Sequence, residues 1–306
     1  MEVFDFEYNA GKILESKDLG VKSHGINDII IKKFPDEEIY VRVLPDVENK
    51  KCVLIKSIYN NEELIKTFLI LNALKKGGAK KIYLFATYLT YLRQDKIFKK
   101  GECLSAEFVL SELKNYSDEI FLLNPHIPFN FYGKTNYKGI EFYGIDMSYE
   151  IAKHFVPTCK EAIVKLENPK VIAPDEGAIN LAKRYSEILM CDFAYLSKTR
   201  ISGTEVVVEE KNLGIENKDV LIVDDIISTG GTLIKNIEII KKQNPKSINI
   251  ACVHGVFCDE EKLKKLKEIS NSIVATNSIH NGKYSEIKKI DVSKVVADAL
   301  IEYVEF

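Results

Sequence analysis

The chain has 306 residues, of which 46% are hydrophobic and 29% are charged. This composition excludes an intrinsically disordered chain and supplies enough apolar side chains for the cores of one or two globular domains. The 43 Lys and Arg residues nearly balance the 45 Asp and Glu residues, and the net charge of -2 argues against a nucleic-acid coat or a basic membrane-surface module.

The amino terminus and the apolar stretches predict a cytoplasmic protein without a membrane anchor. The acidic start at residues 1–5 lacks the basic and apolar series of a signal peptide. The most apolar stretch, 83–92, is much shorter than the roughly 20 residues that a membrane-spanning helix needs. The six cysteines form no Cys-x-x-Cys pair, so we expect no zinc or redox motif and interpret them as buried free thiols.

In chain order, short apolar runs alternate with segments of helical periodicity. In the first half, Leu64, Phe68 and Leu71 fall on one face of a predicted helix over 61–76, and the two glycines at 77 and 78 can end it. Strands are predicted over 28–32, 52–56, 81–86 and 119–123, with a charged loop over 93–102 and a second helix from Ser105.

The second half repeats this rhythm. The apolar run over 219–223 predicts a strand that is buried on both faces. Further strands are predicted over 170–174, 192–196, 205–208 and 247–253, and helices over 176–189, 232–242, 260–268 and 291–306. Strands that alternate with helices indicate an α/β fold of mainly parallel sheets flanked by helices, here in two units that meet near 145–150.

The most specific motif follows the strand at 219–223. Asp224 and Asp225 come at its carboxyl end, where ligands bind in open α/β sheets. Small residues, hydroxyl groups and the start of a helix come next, and together they can surround a phosphate. The predicted phosphate-binding residues are Ser228, Thr229, Gly230, Gly231 and Thr232. Their spacing matches neither a Walker loop nor a dinucleotide-binding fingerprint.

The two aspartates must contact something other than the phosphate. At an effective dielectric of about 20, a carboxylate about 5 Å from a phosphate charge costs on the order of 3 kcal/mol. Ribose hydroxyls and Mg²⁺ are suitable partners, and a sugar phosphate carries both hydroxyls and phosphate. The structural alternative is a capping carboxylate followed by a tight turn.

Residues 223–232 closely resemble the PRPP-binding motif that type I phosphoribosyltransferases and ribose-phosphate pyrophosphokinases share. Residues 34–42 are similar to the adenine-binding hairpin of the pyrophosphokinases, and the resemblance implies ATP contacts from Phe34, Asp36 and Glu38. An aromatic ring can stack on a purine and carboxylates can accept from its exocyclic amine. Taken alone, this segment could also be a hairpin with surface charge.

The charged loop over 91–102 is similar to the Arg-Gln-Asp loop of the pyrophosphokinases. The resemblance implies that Arg93 contacts ATP phosphates, for which a guanidinium fork is suited, and that Gln94 contacts the base or the ribose. Asn124-Pro-His126 matches a family segment that usually begins with a carboxylate, so His126 is an expected catalytic and metal-facing residue while Asn124 departs from the pattern.

Two further segments complete the resemblance. Residues 173–178 resemble a Pro-Asp-x-Gly loop whose aspartate, here Asp175, helps to hold Mg²⁺ and ribose. Residues 196–203 resemble the catalytic flexible loop, which implies catalytic roles for Lys198 and Arg200, and this compact loop looks most like that of archaeal members. In isolation, the charges at Lys198 and Arg200 could belong to a solvated hairpin tip.

The resemblance implies a ribose-phosphate pyrophosphokinase with two phosphoribosyltransferase-like domains. The expected domains are 1–147 with 290–306, which carries the ATP segments, and 148–289, which carries the ribose 5-phosphate loop. It also implies Mg²⁺ as cofactor, ATP and ribose 5-phosphate as substrates, and a homo-oligomer in which a neighbouring hairpin completes the ATP site. The alternatives are a catalytically silent regulatory homologue, a phosphoribosyltransferase that consumes PRPP, and an RNA- or protein-binding module.

Overall fold

The structure, a computed structural model, describes residues 1–131, 133–196, 212–280 and 286–305, together with the backbone of 198–200 and 206–208. These residues divide into two compact units. Unit 1 comprises 1–146, 278–280 and 291–305, and unit 2 comprises the described residues of 147–277 and 286–290. No helix in the described ranges is long and apolar enough to cross a membrane.

Unit 1 contains one large sheet and one separate hairpin. Its strands are β1 (Glu2–Asp5), β2 (Lys22–His24), β3 (Ile29–Lys33), β4 (Ile39–Val43), β5 (Lys51–Ile58), β6 (Lys81–Leu89), β7 (Glu119–Leu123), β8 (Lys134–Tyr137) and β9 (Ile140–Ile145). Seven of them form a sheet in the order β2-β1-β5-β6-β7-β9-β8, which is parallel except for the β8–β9 pair. Strands β3 and β4 pair with each other as an antiparallel hairpin.

The helices follow the sequence periodicity closely where that periodicity is long. They are α1 (Ala10–Glu15), α2 (Asn61–Lys76), α3 (Ser105–Lys114), α4 (Ser148–Ala152), α5 (Ile179–Leu189), α6 (Gly231–Lys241), α7 (Glu260–Ile269) and α8 (Ser293–Tyr303). Helix α2 has the predicted bounds, because Asn60 caps it by accepting from the Glu63 amide at 2.8 Å and Gly77 follows its last turn. Helices α4 to α7 belong to unit 2, and α8 returns to unit 1.

Unit 2 contains a fully parallel sheet and a second hairpin. Its strands are β10 (Pro169–Ala173), β11 (Phe193–Tyr195), β12 (Lys198–Arg200), β13 (Val206–Val208), β14 (Asp219–Ile227), β15 (Ser247–Gly255), β16 (Ser272–Thr276) and β17 (Lys288–Ile290). Six form a parallel sheet in the order β11-β10-β14-β15-β16-β17, and β12 pairs antiparallel with β13. The central strands are buried on both faces, as the apolar run in β14 predicted.

Three predictions from the sequence need correction. Strand β14 continues to Ile227, four residues beyond the apolar run, because Asp224 and Ile226 still pair with β15. The short strands β1, β2, β8, β9, β16 and β17 were not predicted. Cys103 and Cys258 are exposed, whereas Cys52 and Cys252 are buried as expected.

Each parallel sheet has a point where the strand order reverses. In unit 2, β10 lies between β11 and β14, so the strands that follow it in the chain lie on both sides of it in the sheet. Ligands of open α/β sheets bind in the crevice at the carboxyl ends of the strands at such a reversal. The loops that follow β10 and β14 are therefore the expected place for a binding site in this unit.

Candidate active site

The reversal point of unit 2 brings three predicted carboxylates to one edge of the sheet. Asp175 follows β10 and caps a short 3₁₀ turn, where its Oδ1 accepts a hydrogen bond from the Gly177 amide at 3.1 Å. Asp224 and Asp225 lie near the end of the adjacent parallel strand β14. All three side chains are partly exposed, so they can reach a ligand.

The carboxylates repel one another at this edge. Burial raises the pKa of Asp224 well above its usual value, and the neighbouring carboxylates of Asp225 and Asp175 raise it further. Asp224 Oδ1 accepts from the Asp225 amide at 3.0 Å, and Asp225 Oδ1 accepts from the Ile226 amide at 2.7 Å. These bonds orient both side chains, and a cation or a hydroxyl donor at this edge would relieve the repulsion between the carboxylates.

The phosphate loop follows directly and opens α6. Gly230 caps the helix with a φ of +80°, a left-handed conformation that favours glycine. A Cβ atom at this position would lie 2.6 Å from Leu266 Cδ1, so the backbone approaches α7 closely. The first amides of a helix have no acceptor within the helix and carry partial positive charge. The loop and the start of α6 thus form a site for an anion beside the carboxylates.

Sequence patterns did not identify Asn236 as part of this region. Asn236 is fully buried in α6, one turn after Thr232, and its side-chain amide donates to the Pro174 carbonyl at 2.8 Å. The signal was present, because a polar residue interrupts the apolar face that Leu233, Ile237 and Ile240 otherwise form.

The equivalent edge of unit 1 is occupied by the protein's own charges. Lys56, near the end of β5, bonds to Glu7 at 3.0 Å and to Glu63 at 2.5 Å, and Glu7 also accepts from the Ser57 amide at 2.7 Å. Lys56 is 4% exposed, so these ion pairs satisfy a buried charge. The reversal point between β1 and β5 is therefore filled internally, whereas that of unit 2 presents carboxylates and a phosphate loop.

The residues predicted to bind ATP lie in two parts of unit 1. Phe34, Asp36 and Glu38 lie at the exposed turn of the β3–β4 hairpin, where the Phe34 ring is 51% exposed and contacts Tyr40 edge to face. The apolar face of Phe34 is thus open for stacking. Asp36 Oδ1 accepts from the Glu38 amide at 3.3 Å, which leaves its other oxygen as a possible acceptor site for a ligand.

Arg93, Gln94 and His126 follow adjacent parallel strands of unit 1. The first two come after β6, where Arg93 is exposed and Gln94 Oε1 accepts from Ser105 Oγ at 2.6 Å at the start of α3. His126 comes after β7 and is also exposed. These side chains therefore lie at the same edge of the unit 1 sheet.

Asn124, which stands where the family usually has a carboxylate, is buried beside an acid. It has a φ of +36° and its amide donates to the Ile145 carbonyl at 2.9 Å. Its side chain donates to Asp146 Oδ1 at 3.5 Å. The carboxylate of Asp146 therefore lies next to Asn124.

The donor set at the unit 2 edge fits a hard cation that brings other ligands with it. Among the described residues, no three His, Cys, Asp or Glu side chains form a ready-made metal cage. Mg²⁺ does not require one, since it usually keeps several waters and takes one or two carboxylates together with substrate phosphates. The carboxylates of Asp175, Asp224 and Asp225, which lie at one edge of the sheet, meet that requirement.

The expected catalytic loop is described only in part. Lys198 and Arg200 are the first and last residues of β12, which pairs with β13. Their side chains, and residues 201–205, lie outside the described residues. Their catalytic roles stay predictions.

Comparisons with known proteins identify the family. A family model described as the N-terminal domain of ribose phosphate pyrophosphokinase matches residues 12–116, and the phosphoribosyl transferase domain matches 147–287. The ribose-phosphate pyrophosphokinase of Pyrococcus furiosus is 38% identical over 83% of this chain and 87% of its own length. The chain belongs to the ribose-phosphate pyrophosphokinase family.

Other members of the ribose-phosphate pyrophosphokinase family give the same picture. The enzyme of Methanothermobacter thermautotrophicus is 34% identical over 88% of this chain and 90% of its own length. The crystal structure of phosphoribosylpyrophosphate synthetase from Mycobacterium smegmatis matches with a TM-score of 0.81 and 22% identity, over 100% of this chain and 98% of that one. The predicted family and the predicted α/β fold class are confirmed.

Proposed function

We propose that the chain is a ribose-phosphate diphosphokinase, which transfers the pyrophosphoryl group of ATP to ribose 5-phosphate and releases AMP. The observation that carries this proposal is the placement of Asp175, Asp224 and Asp225 beside the phosphate loop at one edge of unit 2. Carboxylates can accept hydrogen bonds from the hydroxyl groups of a sugar, and the neighbouring loop amides can donate to a phosphate, so the site suits a pentose phosphate. Family membership supplies the second substrate, ATP.

In the proposed reaction, the oxygen on C1 of the sugar attacks the β-phosphorus of ATP. A bond forms between that oxygen and the β-phosphorus, the bond from the β-phosphorus to the α-phosphate oxygen breaks, and AMP leaves with the electron pair. The C1 hydroxyl proton is released to solvent. Such transfers depend on positioning and on stabilising charge more than on covalent chemistry with the protein.

The residues divide these tasks. The amides and hydroxyls of 228–232 hold the 5-phosphate, and Asp224 and Asp225 accept from the ribose hydroxyls and fix the attacking oxygen. Lys198 and Arg200 stabilise the charge that develops on the transferred group. His126 and Asp175 are the proposed metal-holding residues, and Mg²⁺, when bound, neutralises phosphate charge.

The ATP side of the proposal rests on unit 1. Phe34 presents an open aromatic face and Asp36 and Glu38 present acceptors. For the exposed side chains of Arg93 and Gln94, the roles implied by the resemblance are contacts to the nucleotide phosphates and to the base or ribose. We assign these tasks to residues 1–147 with 290–306 and the sugar phosphate to 148–289. Because the reaction consumes ATP and a sugar phosphate, which are cytoplasmic metabolites, we place the protein in the cytoplasm.

A homo-oligomer is part of this proposal. The hairpin and the residue directly after it expose three large apolar side chains, Phe34, Tyr40 and Leu44, at 51%, 40% and 47%. Exposed apolar residues that cluster on one element mark surfaces for partners, and a second copy of the chain would cover them. Sedimentation and turnover measured over one dilution series test this part, because activity in a monomeric fraction would contradict it.

The reaction is tested by mixing the full chain with Mg²⁺, ATP and ribose 5-phosphate that carries ¹⁸O on C1. We expect AMP and PRPP in equal amounts, with the label in PRPP and none in AMP, because the C1–oxygen bond is never broken. The Asp225→Asn variant should lose most of this activity. Binding of both substrates without AMP would favour the silent homologue, and activity that needs PRPP and a base would favour a transferase.

A further inference from the structure

The segment that leads into α7 lies against the phosphate loop and forms what we call its second wall. The Cys258 amide donates to the Ser228 carbonyl at 3.0 Å, and Cys258 Sγ lies 3.5 Å from Ser228 Oγ. One turn later, Lys262 Cδ and Cε lie 3.7 Å from the position where a Cβ of Gly231 would be. The side chains at 258, 262 and 266 thus lie along one face against the loop.

The loop itself lacks a cation for the dianion it is proposed to hold. Its residues, 228–232, are Ser, Thr, Gly, Gly and Thr, and two aspartates precede them at 224 and 225. The start of a helix contributes only about half an elementary charge. In a Walker loop a lysine within the motif supplies the missing charge, and this loop has no such residue.

Lys262 is a cation on the second wall that can supply this charge. Its Nζ is one bond beyond the Cε atom that faces Gly231, and it is paired with Asp259 Oδ2 at 2.6 Å. The side chain is 43% exposed, so it can move without unfolding its surroundings. Asp259 also caps α7 through the Lys262 amide at 3.0 Å, and this bond does not depend on the lysine side chain.

We propose that Lys262 binds the 5-phosphate of the sugar substrate, with its ammonium group turning from Asp259 to the phosphate that the loop holds. The identity of the ligand rests on the proposed function, whereas the position of the lysine beside the loop does not. An ammonium group next to the phosphate offsets the repulsion between the dianion and the carboxylates of Asp224 and Asp225. Lys262 is therefore a binding residue for the sugar phosphate.

The kinetic test compares Lys262→Met with Lys265→Met. The second variant makes the same change of charge at an exposed position of the same helix. Loss of a charge-assisted hydrogen bond weakens binding by about tenfold or more. We therefore expect the KM for ribose 5-phosphate to rise by about that factor in Lys262→Met, with kcat and the KM for ATP within about twofold. Lys262→Arg should retain most of the affinity, and Lys265→Met should behave as the wild type.

A second readout does not depend on turnover. Cys258 is an exposed thiol against Ser228, and Cys103 is an exposed thiol in unit 1 that serves as the internal control. We expect ribose 5-phosphate to protect Cys258, but not Cys103, from alkylation by iodoacetamide. In Lys262→Met, the same protection should require a concentration of ribose 5-phosphate about tenfold higher. Peptide mass spectrometry measures both sites in the same sample.

The outcomes separate this inference from the proposed function. The role of Lys262 would be overturned if the wild type is active and Lys262→Met has the same KM for ribose 5-phosphate and the same protection of Cys258. It would also be overturned if this KM rises equally in Lys265→Met. Protection of Cys258 that depends on Lys262 in a protein that makes no PRPP would support the binding site and contradict the proposed reaction.

Discussion

Asn236 of α6 donates a hydrogen bond of 2.8 Å from its side-chain amide to the carbonyl of Pro174, the residue before Asp175. Asn236 is fully buried, and its Oδ1 has no hydrogen-bond partner among the described residues. Burying an unpaired polar atom costs free energy. The bond nevertheless joins the helix that opens with the phosphate loop to the turn that carries Asp175, and so it relates the two halves of the unit 2 site.

We expect Asn236→Ala to lower kcat/KM for ribose 5-phosphate by roughly tenfold, and the unfolding free energy by about 1–3 kcal/mol, because Pro174 loses its buried partner. The control is Asn249→Ala. Asn249 is also fully buried and its side chain is hydrogen-bonded through both its amide and its oxygen, but it lies near the amino end of β15, far along the strand from the site. Equal stability losses with unequal activity losses would support the positioning role, while equal activity losses would contradict it.

Gly230 is the position in the phosphate loop where a side chain should be tolerated least. Its φ of +80° costs a non-glycine residue roughly 1–2 kcal/mol, and a Cβ would lie 2.6 Å from Leu266. We therefore expect Gly230→Ala to lower the urea midpoint clearly. Gly231→Ala is the matched control for stability, because its nearest neighbour lies at 3.7 Å. Similar midpoints for the two variants would show that the loop adapts.

The long helices and the residues predicted to bind the sugar phosphate could be identified from the sequence for separate reasons. Helix α2 combines four turns of apolar periodicity with a cap and a terminal glycine, which are all local signals. The acids and the phosphate loop are contiguous in the chain. The polar interruption of the apolar face of α6 marks Asn236 itself. Its partner Pro174, the position of Lys262 and the ion pairs of Lys56 depend on which segments fold against one another, and residue spacing does not contain that information.

The short strands were missed for a related reason. Strands β2 and β17 have three residues each and lie at sheet edges, so neither alternation nor a long apolar run marks them. Strand β14 was predicted too short because its last part carries the two aspartates, which β-strand preferences disfavour. Polar residues that end a buried strand are typical of a site, and this departure itself pointed to function.

The paired cations of β12 should act mainly in the transition state. We expect Lys198→Ala and Arg200→Ala each to lower kcat by roughly 10³-fold, with little change in ribose 5-phosphate affinity, because cations of this kind stabilise charge on a transferring phosphoryl group. Stopped-flow measurement of AMP release and calorimetric titration of the sugar phosphate give the two quantities. Lys264→Ala, at an exposed position of α7, controls for charge. Near-normal turnover in both variants would remove these residues from the mechanism.

Asp219, at the opposite end of β14 from the site, should make folding depend on pH in the acid range. Burial by itself would raise the pKa of this carboxyl. Three hydrogen bonds and a nearby positive charge lower the pKa instead: the bonds come from the Ser247 hydroxyl at 2.7 Å, the Glu167 amide at 3.0 Å and the Asn168 amide, and the charge is that of Lys246. The folded-state pKa is thus below the unfolded-state value of about 3.9.

The sign of the pH effect follows from that order of pKa values. The ionised carboxylate stabilises the fold fully above about pH 4, and the contribution is lost as the pH falls through the folded-state pKa. We therefore expect Asp219→Asn to be less stable than the wild type at pH 7 and the difference to shrink toward pH 2, in urea titrations followed by circular dichroism. Activity at pH 7 should be retained, because Asp219 lies away from the carboxylates at the other end of the strand. Asp192→Asn, at an exposed position of the same unit, is the control. If the difference in unfolding free energy between Asp219→Asn and the wild type stays constant between pH 7 and pH 2, the hydrogen bonds stabilise the neutral side chain equally well and the prediction is wrong.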